Sequence, residues 1–215
     1  VAPVKSGKNV TILKQTDVIL TMSIDNKNNI PNLEDKDVIY VKEYWKDSKN
    51  TPENFFKMME TIEESSKEGV IKIKVTGNTE DNNRHIAAHR RMAAALGFSI
   101  GSFGINGEEC LAKISEGDDN DPRVKGAKRD REYMKLYFSK YSNYPPEVTF
   151  KGVKSIVENY TDRLTFFIGV DKDGKLDEES KAQLSTRRII ARSLGYKVGK
   201  FESHPKNVSA VAKIR

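Results

Sequence analysis

The octapeptides LGFSIGSF (96–103) and LGYKVGKF (194–201) align without a gap, so the chain reads as two divergent copies of one small unit. Leu96, Gly97, Gly101 and Phe103 coincide with Leu194, Gly195, Gly199 and Phe201, and Phe98 meets Tyr196. Upstream, His89-Arg90-Arg91 falls against Arg187-Arg188-Ile189; downstream, Ala112-Lys113-Ile114 answers Ala212-Lys213-Ile214. Similarity carried over such a distance in one element order marks a repeat rather than shared helix-ending chemistry. Of one large domain or two small ones, both of which the length allows, it favours two.

Each copy reads as βαβαββ. The runs VIYVKEYW (38–45) and MKLYFSKY (134–141) are rich in β-branched and aromatic residues and are expected as first strands. Pro52-Glu53 and Pro146-Glu147 then place proline and an acid where the first turn of a helix favours both. Phe55, Met58, Met59 and Ile62 recur at helical spacing in copy one, and Val148, Val153, Ile156, Val157 and Tyr160 do so in copy two. The alternating VIKIKVTG (70–77) is matched by LTFFIGV (164–170), whose lack of charge suggests burial on both faces. The helices HIAAHRRMAAAL and SKAQLSTRRIIARSL follow, each closed by a glycine suited to a left-handed cap. SIGSFGI with EECLAKI, and KVGKFES with VSAVAKI, supply the closing strands. The fold class is therefore α+β, with two duplicated βαβαββ sandwich units at 38–115 and 133–215. Residues 116–132, nearly devoid of apolar side chains, read as a linker, and residues 1–37 as an N-terminal extension with two further strands.

Charge narrows the partners. Lys and Arg number 37 against 31 Asp and Glu, a formal charge of +6 that favours polyanions. No apolar run reaches membrane-spanning length, and VAPVKSGKNV lacks the apolar centre of a signal peptide, so the expectation is a soluble, intracellular protein without membrane contact, cytoplasmic or nucleoid-associated. The Asn- and Lys-rich stretch IDNKNNIPNLEDKD fits an AT-rich genome, as in a virus or parasite. The single cysteine, Cys110, excludes an internal disulfide and any zinc site that needs two thiolates.

The order βαβαββ, the strand and helix GVIKIKVTGNTEDNNRHIAAHRR and the closing strands SIGSF and CLAKI together resemble the Alba family of small nucleic-acid-binding proteins. The order is also similar to the C-terminal domain of bacterial initiation factor three, and to the single-strand-binding domains named for an arginine and a histidine. These resemblances imply nucleic-acid binding. The Arg-Gly-Arg turn of the Alba family is replaced here by Thr76-Gly77-Asn78-Thr79, so that family's DNA contacts at this turn are not carried over. The arginine-histidine signature is supplied neither by Arg84 with Ala88 nor by His85 with His89.

Candidate contacts follow from the placement of positive charge. Lys72 and Lys74 alternate with Ile71 and Ile73 and should share one sheet face. Arg84, His89, Arg90 and Arg91 crowd the second helix of copy one, and Arg187, Arg188 and Arg192 that of copy two, where guanidinium groups suit phosphate. Lys128, Arg129 and Arg131, with Arg123, Lys125, Lys135 and Lys140 around them, add a basic stretch, and Lys197 and Lys200 complete the set. Tyr44, Trp45, Tyr137, Phe138, Tyr141 and Tyr144 fit packing better than base stacking. His85 and His89 have zinc spacing but need a third ligand, for which Cys110 and His204 are the only other soft candidates, and Asp171-Lys172-Asp173-Gly174 lacks the glutamate of a calcium loop. No nucleophile with a base, phosphate loop or dinucleotide fingerprint stands out. The expectation is a non-enzymatic protein without cofactor or metal that binds DNA or RNA through basic helices. The alternative is a structural or assembly protein whose paired domains bind another protein or a second copy.

Overall fold

The stretch 38–45 is helical, not extended. In the computed structural model, which describes residues 33–159, 164–167, 175–199, 202–204 and 209–212, it belongs to α1 (Leu33–Lys46). Burial explains the correction. A strand would put Ile39, Val41, Glu43 and Trp45 on one face, whereas the helix buries Val41 and Trp45 one turn apart and leaves Ile39 and Glu43 outside. The β-branched composition is overridden by packing.

The next elements follow their sequence signals closely. Thr51 caps α2 (Pro52–Glu68) by accepting from the Asn54 N–H at 3.3 Å, Pro52 occupies the first turn, and Gly69 closes the helix at φ +79°. Phe55, Met58 and Ile62 form its buried stripe. In β1 (Val70–Lys74) Ile71 and Ile73 face inward while Val70, Lys72 and Lys74 are exposed. Asn78 caps α3 (Thr79–Leu96) by accepting from the N–H groups of Glu80 and Asp81. Three strands complete this half: β2 (Phe98–Ile100), β3 (Gly104–Asn106) and β4 (Glu109–Glu116). All pairings are antiparallel, β1 and β3 lying on β4 with Ile71 opposite Ala112, and β2 pairing further along β4 with Ile100 opposite Ile114.

Residues 116–132 are not a linker. Asp121 accepts from the Arg123 N–H at 2.8 Å and Pro122 occupies the first turn of α4 (Pro122–Leu136), which continues into a π-helical turn, Tyr137–Tyr141. The expected first strand of copy two, 134–141, is thus helical as well. The stripe α4 turns inward is Ala127, Asp130 and Met134. Two of these positions carry little hydrophobic signal, which is why the run looks unstructured in sequence.

Then come α5 (Pro146–Asn159), β5 (Leu164–Phe167), α6 (Glu178–Ser193), β6 (Glu202–His204) and β7 (Ser209–Ala212), with β7 central and antiparallel to both neighbours. The remainder of LTFFIGV and the strands expected in 9–25 lie outside the described residues. The class is α+β. Each half opens with two helices, αα in place of the expected βα, and in each the first strand pairs with the last. The halves share one core rather than two: Val41, Trp45 and Phe55 cluster with Phe150, Ile190 and Leu194. Trp45 Nε1–H donates to the Ser193 carbonyl at 3.2 Å, and its ring lies 6.1 Å from that of Phe150.

Candidate functional site

Two glycines let the helices approach closely. Gly97 ends α3 at φ +87°, where a Cβ would stand 2.7 Å from Lys128 Cγ, and Gly117 would bring one within 2.8 Å of Val124. The first half of α4 therefore lies directly on the end of α3, with α6 packed against both helices. Beside this junction the three helices, Phe98 at the start of β2 and residues 196–198 enclose a cleft of about 780 Å³.

Its lining is uneven in charge. Six cations, Arg91, Arg123, Arg129, Arg188, Arg192 and Lys197, face two carboxylates, Asp121 and Asp130, an excess of four positive charges. Asp130 is 1% exposed. Both its oxygens accept from Arg188 Nη1 at 2.7 Å, Oδ1 also accepts from the Ser185 hydroxyl at 2.9 Å, and Arg192 stands 3.9 Å away. One buried carboxylate thus serves two guanidinium groups. Arg91 joins them by donating from Nε to the Arg192 carbonyl at 3.2 Å. Burial pushes the Arg192 pKa below its ordinary value, Arg188 and Arg91 push it the same way, and Asp130 opposes them. An anion entering here relieves repulsion among fixed like charges.

Five residues singled out from sequence meet at this cleft: Arg91 from α3, Arg129 from α4, Arg188 and Arg192 from α6, and Lys197 beyond it. Arg129 and Lys197 are exposed. Arg123, from the same basic stretch, is 94% exposed along its side chain and lies 3.9 Å from Asp121.

Other candidates are placed differently. Arg84 is held by Glu43, Glu80 and Asp81 at 2.9–3.1 Å, so its charge is neutralised on the spot. His89 is not exposed: at 6% accessibility it donates from Nδ1 to the His85 carbonyl, and burial, followed by the neighbouring His85, lowers its pKa to about 3. Its ring packs 4.7 Å, centroid to centroid, from that of His85. His85 stacks on Tyr44 with ring centroids 5.3 Å apart. Arg90 is half-buried, 5.5 Å from the Phe103 ring centroid. Arg131 retains 11% exposure, packed 4.3 Å over Phe98 and paired with Glu116 at 2.9 Å. Lys128 pairs with Asp119 and Glu116 and donates to the Gly117 carbonyl. Arg187 is half-buried, donates to Gln183 Oε1 at 3.1 Å and has its pKa lowered by burial. Lys72 and Lys74 are exposed on the sheet but do not line the cleft. Lys200 lies outside the described residues.

Sequence reasoning missed Asp130 and Tyr196. Asp130 stands between Arg129 and Arg131, and an acid inside a basic run is the signal that could have found it. Tyr196 stands out in sequence only as the repeat partner of Phe98, and it too lines the cleft. Among the described residues no helix is long and apolar enough to cross a membrane. The chain matches no family model, no curated protein and no solved structure.

Proposed function

We propose that the protein binds nucleic acid without catalysing a reaction on it, and that the cleft between α3, α4 and α6 is its phosphate-binding surface. The observation that carries this reading is the excess of cations over carboxylates at a concave surface, with Asp130 already engaged by Arg188. Arginine suits this work because its planar fork stays charged and matches phosphate oxygens. Much of the remaining basic charge is committed elsewhere, on Arg84, Lys128 and Arg131 in particular, so net charge alone does not mark the surface. The shared strings and the common element order of the halves support a duplicated unit. The resemblance to Alba-type units rests on β1, α3 and the closing strands, not on the first element of each half.

A salt titration tests the reading. Polyanion binding loses affinity with a log–log slope of about 0.7–0.9 per phosphate neutralised. Replacing Arg123, Arg129 and Lys197 together by Ala is expected to flatten that slope by about 0.7–0.9 for each phosphate no longer neutralised, with the thermal midpoint unchanged because these side chains are largely exposed. Unchanged affinity and slope would reject the cleft and leave an assembly role, with another protein as partner, ahead.

A further inference from the structure

We infer that the ligand of the cleft is single-stranded nucleic acid, with one base stacked on Tyr196. The inference rests on the phosphate-binding reading above and adds the class of strand. Basic side chains form only part of this cleft: Ala94, Ala95, Val124 and Ala127 line it as well, small apolar groups that offer a phosphate nothing. A duplex presents phosphates on its outside and hides the faces of its bases, so the flat apolar surface of a base is not free to lie against such a lining. A single strand exposes both chemistries together, and proteins that hold single strands pair a basic groove with aromatic platforms.

Tyr196 is placed to be that platform. It is half-exposed and lines the cleft between the last turn of α6 and Lys197, while Lys42 Nζ lies 4.3 Å from its ring centroid. Gly195, at φ +92° against α1, sets the turn from which the ring projects. Lys42 and the edge of the core, against which the ring packs in part, hold it in place, and the portion that lines the cleft is what a base would stack on. The neighbouring arginines lie at the same cleft, so base and phosphate can be engaged at once.

Fluorescence anisotropy of the full chain with a labelled oligonucleotide of about ten nucleotides, single-stranded and as the duplex of the same sequence, tests this. The single strand is expected to bind at least about tenfold more tightly than the duplex. Tyr196→Leu, which keeps apolar packing but removes the aromatic face, is expected to lose between about fivefold and a hundredfold in single-strand affinity, while Tyr196→Phe retains it. Circular dichroism of both variants checks that they fold. Equal or tighter duplex binding, or single-strand affinity of Tyr196→Leu within about twofold of wild type, overturns the inference and leaves phosphate binding standing. Failure of the wild-type chain to bind either form at low salt overturns both.

Discussion

Two buried polar side chains show how far a single residue's environment departs from its sequence neighbourhood. Asp130 sits in a run of lysines and arginines and is nevertheless almost fully buried, because Arg188 and Ser185 satisfy it from α6. Its burial is what draws two guanidinium groups to the cleft. His89 is surrounded by charge in sequence and is nevertheless among the buried residues of α3, next to the ring of His85. Its imidazole is neutral when folded, with a pKa lowered by burial to about 3, whereas an unfolded histidine titrates near 6.5. Between those values the unfolded chain binds the extra proton, so stability falls as pH drops and is fully retained above the unfolded pKa. The slope is half-maximal at the unfolded pKa and approaches about 1.4 kcal/mol per pH unit below it, giving a loss of roughly 1.5 to 2 kcal/mol between pH 6.5 and pH 5. Urea unfolding at those two pH values should show that loss in the wild type and a clearly smaller one in His89→Gln. An equal loss in both would assign the acid sensitivity to other groups.

At the scale of elements, legibility depends on whether inward positions are apolar. The second helix of copy one, α2 and β1 are readable because Phe55, Met58, Ile62, Ile71 and Ile73 carry their periodicity openly and Thr51, Asn78 and Gly69 punctuate it. In contrast, α4 is invisible because its inner stripe holds an aspartate and an alanine, and α1 passes for a strand because aromatic and β-branched residues suit strands as well as a buried helix. The cleft is half legible: its arginines can be picked out, but not that the end of α3 brings those on α4 and α6 together. Gly97 is the pivot of that approach, and it can be weighed against Gly69. Both have positive φ, but a Cβ at Gly69 meets nothing within 4 Å, whereas at Gly97 it meets Lys128 Cγ at 2.7 Å and the Lys128 backbone nitrogen at 3.0 Å. Gly69→Ala should cost only the left-handed backbone, about 1–2 kcal/mol. Gly97→Ala adds crowding against α4, about 1–3 kcal/mol more, and should weaken the nucleic-acid binding proposed for the cleft as the helix is displaced. Equal destabilisation of the two variants in thermal melts would show that α4 yields freely.

The whole molecule is knit together where the sequence suggested a seam. Two units joined by a linker would melt independently, but residues 116–132 are packed structure and the core cluster runs through both halves. Trp45 is the clearest tie: it is 1% exposed, its indole N–H reaches the Ser193 carbonyl at the end of α6, and its ring packs against Phe55 on one side of the chain and Phe150 on the other. Gly195 completes the reciprocity: a Cβ there would stand 3.3 Å from Val41 and Lys42 of α1, as one at Gly97 would crowd α4. A cleft assembled from both halves requires this, because α3 comes from one and α4 and α6 from the other. Unfolding should therefore be a single transition by circular dichroism and by tryptophan fluorescence alike. Trp45→Ala, which removes a large buried side chain and leaves a carbonyl acceptor unpaired, should lower stability by about 3–5 kcal/mol. Native-state hydrogen exchange should show that loss in α5 and α6 as well as in α2, because the tryptophan touches all three. Two resolved transitions, or faster exchange confined to the first half, would restore the independent units that the repeated octapeptides suggested.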